Sequence, residues 1–207
     1  MPKALPPRCM LVMNHISWLD IIVINAHFPA TFVAKSEIRD WPLVGWLCTQ
    51  VGTLYIERGK RAAARRARET ISEMLARGTL IAVCPEGKTS SGQSVGHFHA
   101  ALFQPAIDAE AMLQPVALRY LDPTGRHTEA AAYAGDTTLL QSLWAIVSTR
   151  HMRSQIEFLT PIAAIGASRR PLAEQTATAI AVALGVRRPR SVHMATRTDA
   201  DPADTQV

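Results

Sequence analysis

Short apolar runs of four to six residues alternate with longer stretches of helical periodicity along most of the chain, and few folds accommodate that alternation. The runs Cys9–Met13, Thr31–Ala34, Thr53–Glu57, Thr79–Cys84, Pro115–Arg119 and Gln155–Leu159 are strand candidates. Several are rich in Val, Ile and aromatics and are bounded by Gly or Pro. Between them, Arg61–Arg77 places Ala64, Ala67, Ile71, Met74 and Leu75 at helical spacing, with Gly78 as a stop signal. Leu139–Thr149 and Pro171–Leu184 are further helix candidates, and Phe98–Ala109 is helical in pattern but interrupted by Pro105. The expected fold is α/β: one layered domain over residues 1–186, with a central, largely parallel sheet flanked by helices. From residue 187 to 207 the chain is polar and aperiodic, and a disordered tail is expected there.

A length of 207 residues is enough to bury a substantial core. The formal charge of +5 favours anionic partners: nucleic acid, a membrane surface or a phosphorylated substrate. A non-enzymatic nucleic-acid-binding protein would carry aromatic-studded basic strands or a basic recognition helix, and neither is seen, with aromatics at only 6%. The three cysteines, Cys9, Cys48 and Cys84, sit in apolar contexts without CxxC spacing, as reduced and mostly buried thiols do. No apolar run approaches the roughly 18–20 residues that cross a bilayer.

Three segments carry chemistry. In Asn14-His15-Ile16-Ser17-Trp18-Leu19-Asp20 a strand candidate runs directly into a helix-like run, so His15 sits at the junction. Five positions along a regular helix turn about 140° away, so His15 and Asp20 meet only if His15 precedes the helix and folds back toward it. Asp20 would then hold one ring nitrogen, leaving the other to take a proton. The bland alternative is a capping His and a surface Asp. The second segment, Gly52-Thr53-Leu54-Tyr55-Ile56-Glu57-Arg58, is a strand ending in a charge pair, and Arg58 can clamp phosphate through its fork of donors. The basic run behind it, through Arg61, Arg65, Arg66 and Arg68, reads on its own as a solvated helix face. The third segment is Cys84-Pro85-Glu86-Gly87-Lys88-Thr89. Its Gly-Lys-Thr mimics the end of a phosphate-binding P-loop, but Ala82 stands where such a loop requires glycine, so that reading fails.

In this order the segments resemble the glycerolipid acyltransferase family, typified by 1-acylglycerol-3-phosphate O-acyltransferase. Its Asn-His-four residues-Asp motif is matched by Asn14, His15 and Asp20, and its Gly-x-x-aromatic-Ile-x-Arg motif by Gly52, Tyr55, Ile56 and Arg58. The Phe-Pro-Glu-Gly-Thr-Arg motif is matched at Pro85, Glu86 and Gly87, with Cys84, Lys88 and Thr89 replacing the usual residues. An apolar strand around Pro-Val is matched by Pro115 and Val116. The resemblance covers roughly Leu11 to Ile162.

The resemblance implies direct acyl transfer from an acyl thioester, carried by acyl carrier protein or coenzyme A, to the free hydroxyl of a lysophospholipid. No bound cofactor is required. The acceptor implied first is 1-acylglycerol-3-phosphate, giving phosphatidic acid, with lyso-ornithine lipid as the alternative. His15 and Asp20 are the implied catalytic pair; Arg58, Glu86, Gly87 and Lys88 are the implied substrate-binding residues. Ser17 lacks the Gly-x-Ser-x-Gly elbow of a nucleophile. His97 and His99 have no third partner cluster that would make a metal site. The family usually carries apolar helices ahead of its first motif, whereas thirteen residues precede Asn14 here. The expectation is therefore peripheral attachment to the cytoplasmic side of the inner membrane, through an anionic lipid surface and without nucleic acid. Arg61, Arg65 and Arg68 lie on one helix flank and would supply charge. Trp41–Leu47, with two indoles, is either core or an acyl-chain and membrane-contacting surface.

Overall fold

The computed structural model of the chain describes residues 2, 4–57 and 61–188. It contains β1 (Cys9–Met13), α1 (Leu19–Asn25), β2 (Thr31–Lys35), a 3₁₀ turn (Ser36–Asp40), α2 (Val44–Gln50), β3 (Leu54–Ile56), α3 (Arg61–Ala76) and β4 (Ile81–Val83). A second 3₁₀ turn (Ala100–Phe103), α4 (Gln104–Asp108), β5 (Met112–Leu121), α5 (Leu139–Ser148), β6 (Arg153–Phe158), β7 (Ile162–Ala163) and α6 (Arg169–Leu184) complete it.

The strands form one sheet in the order β3-β2-β4-β1-β5-β6, with β7 also pairing β5. β3, β2, β4, β1 and β5 run parallel; β6 and β7 pair antiparallel to β5. The sequence of β1 explains its central place. All five of its residues are buried, as they must be in a parallel strand covered on both faces. Met10 and Val12 point to one core, with Ile71 and Leu75 of α3 and Leu172, Ala173 and Ile180 of α6. Leu11 and Met13 point to the other, with Ile16, Ile24 of α1, Phe32 and Leu118. Burial of this kind contributes roughly 1.5–3 kcal/mol for each large aliphatic side chain.

Pro115 lies inside β5, well past the strand's first residue, and its missing N–H shapes the edge. β6 pairs from Val116 onward and β7 at Met112 and Leu113, so the antiparallel partner is interrupted between them. The Leu159 N–H donates to the Pro115 carbonyl there, and the buried Gln114 side chain donates to the Leu159 carbonyl.

As expected, the helical pattern of Phe98–Ala109 is interrupted at Pro105. Pro105 sits in the first turn of α4, where a missing N–H costs nothing, after a 3₁₀ turn. Trp41–Leu47 is not simply core: Val44 and Gly45 are buried, but Trp41, Leu43 and Trp46 are exposed. Its helix α2 depends on Gly45, where a Cβ would stand 2.2 Å from the Arg39 carbonyl oxygen. The charged flank of α3 is largely spoken for: Arg65 pairs with Glu69 at 2.8 Å, and Arg68 forks onto the Asp108 carboxylate of α4. At the expected boundary, Arg187 pairs with Ser94 and Arg188 with Glu174 at 2.7 Å. The rest of the expected tail, 189–207, lies outside the described residues.

Candidate active site

β1 and β4 are adjacent and parallel, with Val12 beside Val83. The residues that follow their carboxyl ends are therefore neighbours, although about 70 residues separate them in sequence. In open parallel sheets this is the end at which ligands bind. Here it brings Asn14–Asp20 against Cys84–Ser90.

His15 precedes α1 and Asp20 lies in that helix's first turn, so the carboxylate folds back under the ring. Asp20 Oδ2 meets His15 Nδ1 at 2.8 Å. The same oxygen accepts the backbone N–H groups of Ile16 at 2.8 Å and Ser17 at 3.0 Å. Oδ1 accepts the Tyr120 hydroxyl at 2.8 Å. Asp20 is completely buried, which excludes the reading as a surface Asp. Every donor around it is compatible with an ionised carboxylate, so a buried charge is stabilised by four hydrogen bonds rather than left unpaired. The His15 side chain is 21% exposed. Burial of the ring works against its protonation, but the Cys84 side chain and the Asp20 carboxylate outweigh it and hold the imidazole pKa well above its ordinary value.

The backbone of His15 is clamped as well. Its N–H donates to Glu86 Oε1 at 3.0 Å, and its carbonyl accepts from the Ser90 N–H at 2.9 Å. Glu86 Oε2 accepts the Gly96 N–H at 2.9 Å, so both carboxylate oxygens are engaged by backbone. A Cβ at Gly96 would stand 2.8 Å from that oxygen, which is why glycine occupies the position. Burial pushes the Glu86 pKa up, partly offset by these two donors. Glu86 thus supports His15 from behind and does not line the cavity. Gly87 follows with φ +70, turning the chain so that Gly87 and Lys88 face the cavity.

The cavity beside His15 has a volume of about 300 Å³. Its walls are mostly apolar, with Ile21, Phe32, Ile38 and Val44 among them, and two cations, Lys35 and Lys88, also line it. Lys35 pairs with Glu37 at 2.7 Å. Arg58, the expected phosphate clamp, lies outside the described residues. His97 and His99 pack edge to face with ring centres 5.6 Å apart. Among the described residues no group of three or more His, Cys, Asp or Glu is placed to hold a metal ion.

Three further participants were not read from the sequence. Tyr120 is a buried β5 residue that only the strand register brings to Asp20. Asn14, known only as a motif letter, uses its amide to donate to the Leu118 carbonyl and to accept the Leu118 N–H, both at 2.9 Å. That amide extends the β1–β5 pairing by one side chain and fixes where His15 starts. Cys84 lines the cavity against His15. Of the three free thiols, Cys9 and Cys48 are buried, with burial pushing the Cys9 pKa up to about 12, whereas Cys84 is half-buried. Alkylation by N-ethylmaleimide should therefore fall on Cys84 and block the cavity. Peptide mapping should find the label there, and Cys84→Ser should resist inactivation. Label on Cys9 instead would contradict this.

The profile of the Acyltransferase family matches residues 2–119. A 1-acyl-sn-glycerol-3-phosphate acyltransferase of Neisseria gonorrhoeae is 41% identical over 154 residues, covering 74% of this chain and 60% of the relative. A lyso-ornithine lipid O-acyltransferase of Pseudomonas aeruginosa is 38% identical over 180 residues, covering 86% of this chain and 69% of the relative. The chain thus spans about 60% of the length of the Neisseria relative. The crystal structure of the 1-acyl-sn-glycerophosphate acyltransferase PlsC from Thermotoga maritima shares the fold, with a TM-score of 0.62 at 21% identity over 88% of this chain and 67% of that one. With more than half of its length matched by the family profile, and a relative 38% identical over 86% of its length, the chain belongs to the acyltransferase family.

Proposed function

We propose that the chain transfers a fatty acyl group from an acyl thioester, carried by acyl carrier protein or coenzyme A, to the free hydroxyl of a lysophospholipid. The acceptor we favour is 1-acylglycerol-3-phosphate, giving phosphatidic acid. The observation that carries this reading is the buried Asp20 gripping His15 Nδ1 while the ring borders an apolar cavity. With Nδ1 held, Nε2 is the nitrogen left to act. It takes the acceptor hydroxyl proton as that oxygen attacks the thioester carbonyl. The tetrahedral intermediate then collapses, the C–S bond breaks, and the proton passes from Nε2 to the departing thiolate. An ester and a free thiol result, with no acyl-enzyme. The buried Asp20 charge stabilises the imidazolium formed between the two proton transfers.

Lys88 in the cavity wall favours an anionic headgroup, which supports the phosphate-bearing acceptor. A second reading, a lyso-ornithine lipid acceptor, is favoured by the Pseudomonas relative, whose match covers more of both chains than the Neisseria match does. Incubating the protein with both lysolipids and both thioesters, and weighing the products, distinguishes the two. Phosphatidic acid should form fastest; an acylated ornithine lipid alone would overturn the first choice.

Arg58 and Lys88 are proposed to hold the acceptor phosphate, Arg58 through a bidentate fork. Arg58→Lys and Lys88→Ala should each raise the acceptor KM severalfold, because an ammonium cannot reproduce the fork and an alanine offers no charge. Steady-state kinetics in each substrate test this; a change confined to the thioester KM would assign the residue to the donor. Attachment is proposed to be peripheral, on the cytoplasmic face of an anionic membrane. Among the described residues no helix is long and apolar enough to cross a bilayer.

A further inference from the structure

α5 is built the wrong way round for a helix facing water. Its ten residues carry no charged side chain, and a capping box, in which Thr138 and Gln141 exchange hydrogen bonds, holds its start. Only Ser142 is fully buried. Leu140, Trp144 and Val147, at positions i, i+4 and i+7, form an outward stripe and are 78%, 73% and 64% exposed. A surface helix ordinarily turns such a stripe to the core.

Its position is as informative as its composition. The buried Ser142 takes the indole N–H of Trp18 at 3.1 Å, and Trp18 lines the cavity beside His15. Tyr133, upstream of α5, packs its ring on Trp41 at 5.9 Å, and both line that cavity. The exposed indole of Trp41 thus lines the cavity itself, and α5 is tied to the cavity wall through Trp18. The charge is complementary to an anionic surface. From residue 137 to 156 the chain has no Asp or Glu, while Arg150, His151 and Arg153 follow α5 and are exposed. α3 lacks these features, because it packs on the opposite face of the sheet and its Arg65 and Arg68 are paired.

We propose that the outward face of α5 seats in an anionic lipid bilayer, with Leu140, Trp144 and Val147 in the acyl region and Arg150 and Arg153 at the headgroups. The cavity mouth is then held at the interface, where a lipid acceptor can enter without crossing water. This rests on the lysolipid reading above and adds the surface through which such a substrate arrives.

The test separates the two ideas. The protein, a Leu140→Ser/Trp144→Ser/Val147→Ser variant and an Arg65→Ser/Arg66→Ser variant are co-sedimented with phosphatidylcholine vesicles and with vesicles also containing phosphatidylglycerol. Vesicle binding should require the anionic lipid and fall at least tenfold in the α5 variant, with the α3 variant unchanged. Brominated acyl chains should quench the unaltered protein, and Trp144→Phe should remove the larger share of that quenching. Turnover of a short-chain lysophospholipid, below its micelle concentration, should match in all three proteins. Turnover of vesicle-embedded acceptor should be lost in the α5 variant. Equal sedimentation of the α5 variant, or tryptophan quenching unaffected by Trp144→Phe, overturns the proposal. So does a loss of self-association, in place of vesicle binding, in the α5 variant, which would assign the stripe to a second copy of the chain. Failure of the unaltered protein to acylate the short-chain acceptor would sink the acyl-transfer reading while vesicle binding stood.

Discussion

A His15→Ala protein should fold and lose on the order of 10²–10⁴-fold in turnover, the contribution of a positioned general base. Folding should survive because the loop is fixed by the backbone of His15, not by its ring. Its N–H is held by Glu86 and its carbonyl by Ser90, and neither bond needs the imidazole. Asp20 likewise keeps three donors, Ile16, Ser17 and Tyr120, after the ring is gone. The site would be structurally complete and chemically empty. The pH dependence adds a second reading of the same variant. Only the neutral imidazole can accept a proton, and its pKa is held well above the ordinary value. The unaltered enzyme should therefore show an acid limb displaced to higher pH than an unperturbed histidine would give, and His15→Ala should abolish that limb along with the rate. Turnover near the unaltered level from a protein with an unchanged melting curve would remove His15 from the mechanism.

How much of this was legible in the sequence depends on the range of the interaction. β1 was found at its observed limits because five successive apolar residues between polar flanks can only be a buried strand. The His15–Asp20 contact is also accessible, since the two residues are five apart and only the geometry of a helix start is required. α2 was not: its first turn follows Leu43 at φ +61, and its seat depends on the absence of a side chain at Gly45, neither of which leaves a periodic signature. The supports of the site were illegible for another reason. Tyr120 is 100 residues from Asp20, Glu86 is 71 from His15 and Leu118 is 104 from Asn14. Those pairings exist only once the strand order places β4 and β5 on either side of β1. The same limit applies at α3, where the arginine flank is visible in the sequence but Asp108, 40 residues on, is not visible as a partner of Arg68.

Asp20 is where catalysis and stability meet, and its two simplest substitutions should part company. In Asp20→Asn the side chain must choose which end faces His15. Oδ2 accepts two backbone N–H groups that can never become acceptors, so the amide oxygen belongs there and the amide NH₂ turns to Tyr120. The His15 tautomer is then kept, unlike in sites where histidine alone decides how the amide lies. The loss should accordingly fall short of the ~10⁴-fold that accompanies a flipped tautomer. What goes is the charge. Without the carboxylate the imidazolium loses its counter-ion, the His15 pKa drops, and the acid limb of the rate profile moves to lower pH while the plateau falls. Asp20→Ala removes the acceptor altogether. The N–H groups of Ile16 and Ser17, both buried, and the Tyr120 hydroxyl are then stranded, each at about 1–3 kcal/mol. Three such losses are a large part of an ordinary stability of about 5–15 kcal/mol. Melting should fall on the order of 10 °C or more in the alanine protein, and clearly less in the asparagine one. If both variants melt alike and the acid limb does not move, Asp20 neither anchors the loop nor sets the basicity of His15.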